Sequence, residues 1–107
     1  MPYGLTDTQL EQIRRVLTKT PHLERAVLFG SRAKSTHKPG SDIDLALMGA
    51  AFQFKDRLRL DNELDDLNFP INFDLVIYGQ ISDPALREHI DRVGVTLYSR
   101  DLQNVLS

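Results

Sequence analysis

The apolar positions along the chain switch between two spacings, and the switches divide it into helices and strands. Leu10, Ile13 and Leu17 recur at i, i+3 and i+7, the stripe of an amphipathic helix. Thr6 with Gln9, or Thr8 with Glu11, supplies a capping box at its start. Thr18 to Pro21 stops it, because proline disfavours helical geometry in the residue before it. Arg25 to Phe29 reads as the first strand, ended by Gly30. Ser31 to about Ser35 reads as a short helix with Ser31 as its N-cap. His37 to Ser41, carrying Pro39-Gly40, reads as a turn. Ile43 to Met48 is the second strand, apolar on both faces beyond its aspartate, as expected of a strand inside a sheet covered by helices.

After a loop of small residues, Gly49 to Gln53, a second long helix is predicted over Phe54 to Leu67, with Leu60, Leu64 and Leu67 on one stripe. The acids from Asp61 to Asp66 fall beside that stripe and read as a solvated face. Asn68-Phe69-Pro70 breaks the helix, and Ile71 to Tyr78 is the third strand. One face of it (Ile71, Phe73, Leu75, Ile77) is wholly apolar, and the other is Asn72, Asp74, Val76 and Tyr78. Asp83 before Pro84 is an N-cap with proline at the first helical position. Leu86, Ile90 and Val93 give that helix its buried stripe, and Gly94 follows as a C-cap. Val95 to Tyr98 is a short final strand, expected at an edge, and Ser99 to Ser107 is a polar tail. The expectation is one α/β (α+β) domain over 1–107 with its core in about 5–98: a small mixed sheet of three or four strands with helices packed on it.

Composition narrows the chemistry by exclusion. With 107 residues there is room for one core only. A net charge of −2 gives no broad attraction for nucleic acid or an anionic membrane, so any polyanion contact is expected to be local, around the basic residues 32–38. The absence of cysteine removes disulfides, zinc-thiolate sites and thiol catalysis together. His22, His37 and His89 lack the spacing of helical metal ligands. The chain has no signal-peptide pattern and no apolar run near the roughly 20 residues of a membrane span, so it is expected in the cytoplasm.

The stretch with chemical content is Gly30 to Asp44, GSRAKSTHKPGSDID. Asp42 and Asp44 stand at i and i+2, so they share one face about 6.5–7 Å apart at a rise of about 3.3 Å per residue. Two carboxylates so placed repel unless a cation sits between them, and hard divalent ions such as magnesium take oxygen ligands and bridge to substrate phosphates. The Gly30-Ser31 turn suits the other half of that ligand, since glycine lets the backbone approach an anion and helix-start N–H groups hold phosphate oxygens. Asp74 is a lone acid in an apolar strand, and burying it unpaired costs several kcal/mol. It is read as a third ligand to the same cation; pairing with an arginine or a place at an exposed sheet edge would also account for it.

Gly30-Ser31, ten intervening residues, Asp42-Ile43-Asp44 and a later strand aspartate together resemble the DNA polymerase beta-like nucleotidyltransferase superfamily, in particular the minimal nucleotidyltransferases. The order of elements matches along about residues 5–98. The resemblance implies transfer of a nucleoside monophosphate, with ATP as donor, pyrophosphate leaving and two Mg2+ ions required. It makes Asp42, Asp44 and Asp74 the catalytic metal ligands, with Asp74 helping to activate the acceptor hydroxyl. It makes Gly30 and Ser31 the triphosphate cradle, with Arg32 and Lys34 near the phosphates. Relatives often carry Arg-Gly where Lys34-Ser35 stands here; lysine keeps a point charge without bidentate geometry. No acceptor-binding domain is expected within these 107 residues. Minimal nucleotidyltransferases are often paired with a small helical HEPN-type protein, whose tyrosine they modify with AMP as antitoxins, and that is the leading expectation. Two alternatives are a catalytic subunit with a small-molecule or RNA acceptor, and a non-catalytic nucleotide-binding or steric antitoxin module.

Overall fold

The computed structural model describes residues 2–100. Thr6 caps the first helix, α1 (Asp7–Thr18): its side chain accepts from Gln9 N–H, and Gln9 answers through the Thr6 N–H, so the first of the two possible capping boxes forms. The strands are β1 (Arg25–Phe29) and β2 (Ile43–Met48), joined through the four-residue helix α2 (Gly30–Ala33) and the 37–41 turn. Helix α3 runs from Phe54 to Asp65, two residues shorter than its apolar stripe allows. The chain leaves it through Asn68 at φ +58, a left-handed conformation that asparagine tolerates. Strand β3 (Phe73–Ile77) is trimmed at both ends relative to expectation, because Pro70 precedes it and Tyr78 opens a 3-10 turn (Tyr78–Gln80). Helix α4 (Pro84–Val93) begins on Asp83, whose side chain accepts from Ala85 N–H, and β4 (Val95–Ser99) ends the fold. Of the expected polar tail, residues 101–107 lie outside the described part.

The four strands form one mixed sheet in the order β3-β2-β1-β4. β1 pairs antiparallel with β2 and β4, whereas β2 and β3 run parallel. Alternation along β2 builds two layers. Ile43, Leu45 and Leu47 are fully buried in a core shared with Leu10, Ile13 and Leu17 of α1 and with Leu60 and Leu64 of α3. Ala46 faces the other way, into a smaller core with Val27, Phe29 and Ile90 of α4. β2 is thus the covered central strand that its apolar run predicts. β3 is an edge strand, and Asp74 on it is exposed. The cost of burying a lone carboxylate, which the sequence raised, therefore does not arise. Among the described residues no helix is long and apolar enough to cross a membrane.

Candidate active site

The register of the sheet gathers the motif at one end. Phe29, the last residue of β1, lies opposite Asp44 in the antiparallel ladder, and Asp44 lies opposite Asp74 in the parallel one. Phe29, Asp44 and Asp74 therefore stand side by side across three neighbouring strands, with Gly30 directly after Phe29. Asp44 shares the α4 side of β2 with Ala46, by strand alternation. It is half-buried, whereas Asp42 and Asp74 are exposed.

This crowding sets the electrostatics. Asp44 is pushed up to about 6 by its burial first, then by the charges of Asp74 and Asp42 and a hydrogen bond shared with Asp74; the positive charge of Arg32 pulls it partly back. Of the three acids expected to act together, Asp44 is the one on which the charges of the other two bear. Among the described residues no group of three or more His, Cys, Asp or Glu side chains is placed so that it could hold a metal ion by itself. The donors themselves, carboxylate oxygens, are the type that a hard cation takes. Magnesium is commonly held by one or two carboxylates plus substrate phosphates rather than by an all-protein cage, and a cation here would relieve the repulsion that raises Asp44.

Gly30 adopts φ +76, which only glycine takes without penalty, and a Cβ placed on it would run into Asp44 Oδ2. The glycine is therefore required twice, by its backbone angle and by the close approach of the acid. Ser31 is half-buried but is not the helix cap. Helix α2 starts one residue earlier, at Gly30, with Phe29 in the cap position and no side-chain cap bond. The positive φ of Gly30 bends the chain early enough to put Ser31 inside the first turn.

Arg32 departs from the place its charge suggested. It is 2 % exposed, and its guanidinium donates from Nε to Ser41 O at 2.9 Å and from Nη1 to Tyr3 O at 2.8 Å. It ties the N-terminal turn and the 37–41 turn to α2 and acts on Asp44 as a fixed, buried positive charge. Lys34 is exposed at the C-cap of α2, so its ammonium, unlike the Arg32 guanidinium, reaches solvent. Ser35 follows at φ +60, the conformation that glycine would adopt freely. The backbone path is kept although the glycine is not, at a cost of roughly 1–2 kcal/mol for a side chain in this region. Ser35→Gly should therefore stabilise the fold by about 0.5–1 kcal/mol, after subtracting the larger chain entropy of glycine, and raise Tm by a few degrees in a thermal melt.

One residue of the site escaped sequence reasoning. The Gly30 N–H donates to His89 Nε2 at 3.2 Å, across 59 residues of sequence, and the His89 ring stands edge-on to Phe29, with centroids 6.2 Å apart and planes at 81°. A signal was present. Leu86, His89, Ile90 and Val93 fall at i, i+3, i+4 and i+7, so His89 fills a position of the inward stripe of α4.

No curated protein sequence matches the chain. Among solved structures, one chain of a toxin–antitoxin complex with AMP-PNP is similar at 25 % identity and TM-score 0.70, over 91 % of this chain and 78 % of that one. The complex of a tri-AMPylated HEPN toxin from Shewanella oneidensis with its MNT antitoxin is similar at 22 % identity and TM-score 0.67, over 95 % and 79 % of the two chains. An MntA–HepT toxin–antitoxin pair is similar at 22 % identity and TM-score 0.65, over 94 % and 79 %. At 22 % these last two show a shared fold alone. The family model for polymerase beta nucleotidyltransferases matches residues 11–103, a span that takes in every strand of the sheet, the glycine bend and all three acids. The chain belongs to that nucleotidyltransferase family.

Proposed function

We propose that the chain moves AMP from ATP, with magnesium, onto a tyrosine of a small helical HEPN-type toxin, and so acts as its antitoxin. The observation that carries the reading is the pairing of Asp44 with Asp74 in register beside the Gly30 bend, with Asp42 near enough to raise Asp44 further. Support for a protein acceptor comes from the similar chain in the toxin–antitoxin complex with AMP-PNP. The tri-AMPylated HEPN toxin of the Shewanella oneidensis complex names the acceptor to try first.

Asp42, Asp44 and Asp74 are the residues that would hold magnesium, two ions of which would stabilise the attacking and the leaving oxygens of an in-line displacement. The chain's own groups do the rest. Ser31, through its N–H and hydroxyl, faces the phosphates from the bend, and Lys34 adds a charge that follows them. Gly30 contributes closeness of approach rather than a donor, since its N–H is already engaged. The acceptor hydroxyl oxygen forms a bond to the α-phosphorus as the bond from that phosphorus to the bridging oxygen breaks, and pyrophosphate leaves. The hydroxyl proton passes to a carboxylate oxygen of Asp74, which is exposed and accessible at the sheet edge. Positioning and charge neutralisation supply most of the barrier reduction in such a transfer.

The test uses the purified chain, ATP, magnesium and a small helical HEPN-type protein as acceptor. The expected result is a gain of one or more AMP units in the partner by intact-mass spectrometry, lost with Asp42→Ala. Transfer to a small molecule or RNA with no gain on the partner would discard the antitoxin reading. Protection from the toxin that survives Asp42→Ala would discard catalysis as its basis.

A further inference from the structure

We infer that His89 is a positioning residue for the nucleotide: by accepting the Gly30 N–H it locks the bend that presents Ser31 to the triphosphate. The inference rests on the proposed reading that this bend receives the phosphates. Gly30 is held from two sides. Asp44 Oδ2 occupies the space where a Cβ would be, and the His89 ring takes the N–H at 3.2 Å. A peptide N–H directed at His89 cannot turn toward a phosphate, so the bond fixes which donors of the bend remain for the nucleotide. They start at Ser31. The Phe29 ring, edge-on to His89 at 6.2 Å, braces the imidazole from the strand that leads into the bend. Helix α4 thus reaches over the sheet to hold the loop opposite it, and its one polar stripe position is the point of contact.

The geometry also fixes the tautomer. An Nε2 that accepts from an amide carries no proton, so the ring proton sits on Nδ1. Filling the space under α4 needs only a ring of this size, whereas holding the bend needs an acceptor. The two roles therefore rank substitutions in opposite order. His89→Phe keeps the ring against Phe29 and removes the acceptor; His89→Gln keeps an acceptor and loses the ring.

The experiment has two arms. In the first, long-range 1H–15N NMR on the full chain at pH 8 reads the His89 ring directly. An unprotonated, hydrogen-bonded Nε2 supports the inference, and a proton on Nε2 overturns it. The second measures magnesium-ATP binding and AMP transfer in the wild type, His89→Phe and His89→Gln, with circular dichroism to confirm folding. Expected for His89→Phe is a rise of about tenfold in the Kd and KM for ATP, the worth of one hydrogen bond, with kcat at saturating ATP retained. His89→Gln should stay within about threefold of wild type. If His89→Phe binds ATP as wild type does, or His89→Gln is the weaker of the two, the ring is a spacer and the inference falls. If the wild type itself binds no ATP, the proposed function fails, and the positioning role with it.

Discussion

Asp44→Asn is expected to abolish AMP transfer, by about 10³-fold or more, and at the same time to make the metal-free protein more stable at pH 8. The loss follows from removing a carboxylate on which magnesium would depend, where a metal ion contributes several kcal/mol of charge stabilisation. The gain follows from Asp44 being pushed up to about 6 by burial and by its acidic neighbours Asp74 and Asp42. A carboxyl raised in this way binds its proton more tightly folded than unfolded. Its contribution is therefore most favourable below the unfolded value of about 4, and it is lost as pH rises toward 6. Asparagine carries no such penalty at any pH. The difference in Tm between Asp44→Asn and wild type should be a few degrees in favour of the variant at pH 8 and close to zero at pH 4. Added magnesium should narrow the gap at pH 8, because it stabilises only the form that binds it. Scanning fluorimetry across pH, with and without magnesium, checks all three points. A variant that retains transfer within tenfold, or whose stability gap does not change with pH, would sink the assignment of Asp44 as the buried member of the acidic set.

Gly30→Ala should be nearly as severe, for a different reason. At φ +76 the alanine backbone is strained by roughly 1–2 kcal/mol. Its Cβ also collides with Asp44 Oδ2, so the carboxylate must leave its place, or the bend must move away from His89. Overpacking of this kind adds about 1–3 kcal/mol, and displacing a reacting group by about 1 Å can cost 10²-fold in rate. The expected result is a Tm lower by at least about 8 °C and transfer reduced at least about 100-fold. Gly40→Ala is the matched control. Gly40 has φ +85 with nothing within 4 Å of the point where a Cβ would stand, so it should lose stability to strain alone and keep its transfer rate. Equal losses of activity in the two variants would mean that the contact between Gly30 and Asp44 does not matter.

Most of the element boundaries were legible because local chemistry sets them. Thr6 with Gln9 and Asp83 with Pro84 mark helix starts by hydrogen bonds within a few residues, and the capping contacts form as those signals predict. The two-residue spacing of Asp42 and Asp44 was legible in the chain itself, and although β2 begins only at Ile43, the Asp42 charge still bears on Asp44. Sheet order itself is a long-range property. Nothing in Ile71 to Tyr78 tells a covered strand from an edge strand, so Asp74 reads as a burial problem in sequence and turns out exposed at a rim. Arg32 misled for a related reason. Its charge and its place after the bend suggest phosphate, whereas the carbonyls that hold it belong to Tyr3 and Ser41, which only the fold brings near. His89 was lost among three scattered histidines because their spacing speaks to metal ligation and is silent on the acceptance of a backbone amide.

Ser35 carries a wider lesson. Its φ of +60 traces the curve that glycine would follow, so the motif persists here as a shape although one of its letters has changed. Text patterns that insist on glycine at this point would pass over domains that hold the same curve under tension, and the loops of such domains are where restoring a single hydrogen in place of a side chain yields sturdier versions of the same catalyst.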